Sequence, residues 1–185
     1  MTTIKPLVPP YNPEVQSRFD AVMPPGVEPL LLFRVMAKSE RAWSKLLGGS
    51  MLDSGPLTLR QREIVIIRSC VLAECEYEWG VHVTFFAKAA GLRVEELLET
   101  VNGDARSPCW TPDESVLVLA ADTLFANGKL NGAEIDELKL HYDDEQIIEV
   151  IQLCGYYRTI SYLVRTFDLP LENSCAQFST RVHPF

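Results

Sequence analysis

The feature that most constrains this chain is a repeated helix-start signal. Thr58-Leu-Arg-Gln61, Thr111-Pro-Asp-Glu114 and Asn131-Gly-Ala-Glu134 each set a Thr or Asn three positions ahead of a Glu or Gln. At that spacing the two side chains cap each other's backbone at a helix N-terminus. Asn12-Pro13, Ser39 and Asp143 add further starts. Stops alternate with them at Pro24-Pro25-Gly26, Gly48-Gly49, Gly91, Gly103 and Pro170. No segment alternates apolar and polar residues between turn signals, as a strand would. The reading is an all-α helical bundle. Helices are predicted from residue 13 to about Met23, from Pro29 through "LLLFRVMA", and from Ser39 through "ERAWSKLL". Others run from Thr58 to about Ala73, then on to near Gly91, over 93–101 and over 111–127. One opens at Asn131, and a last long one at Asp143. Residues 1–56 read as an N-terminal helical segment and 57–185 as the helical core of one globular domain, which 185 residues can fill.

The formal net charge is −8 and the pI about 4.9, so the chain lacks the basic footprint that phosphate backbones or anionic lipids require. Neither nucleic acid nor membrane is an expected partner. No apolar run is long enough to span a bilayer and "MTTIKPLVPPYNP" has no signal-peptide core, so a cytoplasmic location is expected. Five scattered cysteines, with no CxxC pair, do not form a disulfide framework.

The chemistry concentrates in "ECEYEWGVHVTFF", residues 74–86. On a helical wheel Cys75, Glu78, Trp79, His82, Val83, Phe85 and Phe86 share one side, while Glu76, Tyr77, Gly80, Thr84 and Lys88 fall mainly on the other. Glu78 and His82 are i, i+4 neighbours. In the preceding helix Glu63 shares a face with Leu59, Ile66, Ile67 and Cys70, with Arg62 and Arg68 elsewhere. A carboxylate on an apolar face needs a partner, so the acids are expected to meet around His82. The wheel leaves two readings open: a plain buried ion pair, or a cluster whose pKa values are pushed apart for proton transfer.

Glu63, Cys75, Glu78 and His82 bring a resemblance with them. "LRQREIVIIRSCVLAECEYEWGVHVTFFAKAAGL" resembles the carboxymuconolactone decarboxylase and alkylhydroperoxidase-like superfamily, in particular members with a Tyr-Glu-Trp-x-x-His signature, here Tyr77-Glu78-Trp79 and His82. The likeness is strongest over 57–98 and extends more weakly through "LFANGKL" and "QLCGYYRTISYL". The peroxidase branch carries CxxC at the positions of Cys75 and Glu78, so the second thiol is absent here and an acid–base set of Glu63, Glu78 and His82 remains.

The resemblance implies a helical fold, a small-molecule substrate, no cofactor, and homo-oligomers such as trimers or hexamers. Val65 and Leu72, beyond the core stripe of their helix, and Val81 beside its own, point to the same apolar interface. Tyr77, Trp79, Phe86 and Tyr157 are the candidate pocket residues. Arg62, Arg68 and Arg158 are candidates to hold a substrate carboxylate. Two carboxylates and an imidazole can also ligate a metal, but no further ligand stands at motif spacing and none is expected. His141 and His183 read as solvent-exposed, and Cys154 as core. Three functions follow: a cofactor-free lyase or isomerase on a carboxylated or lactone substrate, a peroxide reductase using Cys75, or a non-catalytic binding assembly.

Overall fold

A computed structural model of the chain describes residues 4–178, so His183 lies outside the described residues. They form helices joined by turns, with no strand among them. In order these are α1 (Pro13–Asp20), α2 (Leu31–Met36), α3 (Glu40–Gly48), α4 (Leu59–Leu72), α5 (Glu76–Phe86), α6 (Val94–Asn102), α7 (Pro112–Asn127), α8 (Gly132–Lys139) and α9 (Asp144–Thr166). Thr58, Thr111 and Asn131 form the capping boxes expected of them, Asp143 forms a fourth with Gln146, and Asn12 and Ser39 cap α1 and α3. No described helix is long and apolar enough to cross a membrane.

Three boundaries differ from expectation. The first helix stops at Asp20, short of the Pro24-Pro25 break. The second begins at Leu31 rather than Pro29 and has no side-chain cap from Leu30. Its first amides are satisfied from elsewhere: Leu31 N donates to Glu172 Oε1 at 2.5 Å and Leu32 N to the Tyr77 hydroxyl at 3.1 Å. The fifth ends at Phe86, and looser turns carry the chain to Gly91, whose φ of +66° suits glycine.

The core is organised around α4, which packs against α5, α6, α7 and α9. Every residue from Glu63 to Cys70 is buried. A helix surrounded on all sides leaves no free apolar face. Val65 is therefore fully buried and Val81 nearly so, which removes two of the three residues from which an interface was read. Arg68, expected outside the core, is buried too, donating to Asp122 Oδ1 at 2.6 Å and the Thr100 carbonyl at 2.8 Å.

The outer side of α5 is also covered. The C-terminal segment crosses it at Gly80, where a Cβ would lie 2.2 Å from the Ala176 carbonyl oxygen. Ala176 N donates to Thr84 Oγ1 at 2.9 Å and Phe178 N to Glu76 Oε1 at 2.6 Å. The wheel placed Tyr77, Gly80 and Thr84 away from the core, yet Tyr77 and Gly80 are buried beneath this strap.

Candidate active site

The tight link between α4 and α5 sets the geometry. Glu74 adopts a left-handed φ of +51° and Cys75 N donates back to the Cys70 carbonyl at 2.8 Å, closing α4 with a helix-terminating turn. The chain reverses within a few residues, so α5 returns along α4 and brings His82 to Glu63. His82 Nδ1 lies 2.7 Å from Glu63 Oε2, with both residues almost fully buried. On the other edge of the ring, Nε2 stands 3.6 Å from Glu78 Oε1.

Burial alone would strip the imidazole of its proton, but the Glu63 charge and hydrogen bond, followed by Glu78, outweigh it. The His82 pKa is held up at about 9. At neutral pH the ring is an imidazolium between two carboxyl groups. Phe86 and Tyr157 fix its plane, at centroid distances of 5.1 Å and 5.0 Å.

The Nε2 edge faces a cavity of about 340 Å³. Glu78, His82, Val81, Phe86 and Tyr157 form its floor, and Leu32, Phe33, Leu46 and Ser50 from the N-terminal segment form its outer wall. Leu52 and Phe85, both exposed, mark its mouth. Sequence reasoning missed this outer wall. The one available signal was "LLLF" at 30–33, more consecutive apolar residues than one helix face can bury.

Of the candidate pocket residues, Phe86 and Tyr157 line the cavity and Tyr77 and Trp79 do not. The Tyr77 hydroxyl accepts from Leu32 N and donates to Glu172 Oε1 at 2.5 Å, joining the N-terminal segment to the strap. Trp79 points the opposite way, its indole N–H on Thr100 Oγ1 at 3.1 Å and its ring edge-on to Phe178.

Cys75 lies apart from the cavity, in a crevice shared with Glu74, Glu76, Tyr77 and Arg165. It is 1% exposed. Burial pushes its thiol pKa up; the Glu78 backbone N–H and the Ser161 hydroxyl only partly offset this, and the Glu78 charge adds to it. Cys154 is buried, and His141 is exposed.

None of the three candidate arginines lines the cavity. Arg68 is committed to Asp122, and Arg158 stacks over Phe125 and donates to the Tyr162 hydroxyl. Arg62 donates to the Met51 and Asp53 carbonyls and sets its Nε 3.7 Å from Glu63 Oε1, where neither atom has a hydrogen-bond partner. Glu63 and Glu78 approach opposite nitrogens of one ring rather than a common point. Among the described residues no three His, Cys, Asp or Glu side chains group as metal ligands.

Residues 37–123 match the model of the carboxymuconolactone decarboxylase family. No curated protein matches significantly. Among solved structures, a peroxidase-related protein of Silicibacter sp. TM1040 has a TM-score of 0.80 at 14% identity, covering 95% of this chain and 96% of that one. A peroxidase-related protein of Ralstonia eutropha JMP134, with an alkylhydroperoxidase AhpD core, has a TM-score of 0.76 at 14% identity over 94% and 95%. The debrominase Bmp8, in complex with 2,3,4-tribromopyrrole, has a TM-score of 0.75 at 15% identity over 94% and 93%. At these identities the likeness establishes the fold.

Proposed function

We propose, for a chain whose residues 37–123 match the carboxymuconolactone decarboxylase family, a cofactor-free enzyme of the lyase or isomerase type that moves a proton on a small lactone-like substrate. The observation that carries this reading is His82, pinned through Nδ1 to Glu63 and facing a mostly apolar cavity beside Glu78. His82 is the proton donor, acting through Nε2. Glu63 keeps it charged and oriented. Glu78 is the base, removing a proton from the substrate on the same face of the cavity. A positioned acid or base of this kind contributes roughly 10²–10⁴-fold to a rate. The apolar wall excludes water, which strengthens each of these interactions.

A thiol-peroxide reading draws on Cys75, and its burial in a separate crevice with a raised pKa speaks against it. The test is a panel of lactones and enolisable ring compounds incubated in D₂O and read by mass spectrometry. Wild-type protein is expected to incorporate deuterium or convert one of them. His82→Ala is expected to lose this by about 10²–10⁴-fold, and Cys75→Ser to keep most of it. Loss with Cys75→Ser alone, accompanied by sulfenic acid at Cys75 after peroxide, would replace this reading with the thiol one.

A further inference from the structure

The same cavity restricts which molecules can occupy it, and the restriction is electrostatic. Among the described residues its charged wall residues are Glu78 and His82, and no described Lys or Arg lines it. Glu63, directly behind the imidazole, is flanked by the Arg62 guanidinium, so the charged groups an anionic ligand would meet in the cavity are the Glu78 carboxylate and the His82 imidazolium, which already face each other. Among the described lining residues a carboxylate brought out of water finds no cation that is not already paired with an acid.

The cavity lacks the opposite kind of group. Glu78 is 7% exposed, its Oε2 has no hydrogen-bond partner, and its Oε1 is just beyond hydrogen-bonding distance of the ring. A buried carboxylate accepts several hydrogen bonds, and leaving them unmade is costly. Two of the other wall hydroxyls are committed elsewhere: Ser50 donates to the Leu47 carbonyl at 3.0 Å and Tyr156 to the Leu46 carbonyl at 2.6 Å.

Building on the acid–base reading of this site, we propose that its ligands are uncharged, apolar, ring-sized molecules with one hydroxyl or N–H donor, which docks on Glu78, and that carboxylated molecules are rejected. The donor group supplies the hydrogen bond that Glu78 lacks, while the ring fills the space between Leu32, Phe33 and Phe86. The substrate is then a neutral enol, phenol or hydroxylactone, and proton transfer without loss of carbon dioxide is the compatible chemistry.

The test is calorimetric binding of three matched probes at pH 7: 4-ethylphenol, ethylbenzene and 4-ethylbenzoate. Shifts of the His82 ring signals in ¹⁵N-labelled protein locate each probe. 4-Ethylphenol is expected to bind tightest, with ethylbenzene about tenfold weaker because Glu78 stays unpaired, and 4-ethylbenzoate weaker by at least about tenfold. Glu78→Gln, whose amide can donate, is expected to narrow the gap between phenol and benzoate by about tenfold or more. Ser50→Lys, which adds a cation without touching Glu78, is expected to strengthen benzoate binding by a similar factor. Benzoate binding as tight as phenol in the wild type, phenol no tighter than ethylbenzene, or no probe shifting His82 would overturn the proposal. Binding needs no turnover, so failure of the deuterium assay would remove the proton-transfer reading and leave this preference measurable, and the reverse holds equally.

Discussion

Glu63 Oε2 and His82 Nδ1 stand 2.7 Å apart inside the core, joining α4 to α5 where neither side chain meets water. The contact couples stability to pH. The folded-state pKa of about 9 lies above the unfolded value near 6.5, so the folded protein binds the extra proton between these two values. The stabilisation is fully present below about pH 6.5 and is lost as pH rises through about 9, amounting to about 3 kcal/mol in all. Urea denaturation at pH 6 and pH 10 measures it. Glu63→Gln is expected to flatten this dependence and to cost about 1–3 kcal/mol at pH 7.

Cys75 is expected to be chemically quiet. With its thiol buried and its pKa raised, thiol-reactive dyes should label it slowly in the native protein and fully only after unfolding. Mass spectrometry after a peroxide pulse should find no sulfenic acid at this position.

Gly80→Ala tests the strap over α5. The added methyl would meet the Ala176 carbonyl at 2.2 Å, so the strap must lift. The expected cost is about 1–3 kcal/mol, read as a lower melting temperature. Faster proteolysis within residues 171–178 should accompany it. An unchanged melting point and cleavage pattern would show that the strap does not rest on α5.

Arg62→Met tests the support behind the site. The guanidinium ties the Met51 and Asp53 carbonyls, on either side of Leu52 at the cavity mouth, and places a positive charge beside Glu63. Its loss is expected to cost about 1–3 kcal/mol. Ligand binding in the cavity should weaken by more than the proton-transfer rate falls, measured by calorimetry and deuterium exchange on the same variant.

Much of this architecture is legible in the sequence, because helix starts are written locally. Thr58 with Gln61 and Thr111 with Glu114 need only a four-residue stretch to declare themselves. The inward spacing of Glu78 and His82, with Glu63 one helix earlier, is equally local and depends only on the 3.6-residue period. What depends on distant chain was not legible. Tyr77 and Gly80 sit on the outward side of their own helix, and only a segment some ninety residues later covers them. Leu31 and Leu32 begin α2 without a cap of their own because Glu172 and Tyr77 serve it. Val65 read as surplus apolar surface because a single wheel assumes one buried face, whereas α4 is enclosed on all sides.

The most direct test is the titration of His82 itself. In protein labelled with ¹⁵N at histidine, His82 should remain an imidazolium through neutral pH, titrate at about 9, and drop markedly in Glu63→Gln. A neutral His82 ring at pH 7 in the wild type, with a pKa at or below the ordinary value near 6.5, would contradict the claim that two carboxylates hold a proton ready at the cavity.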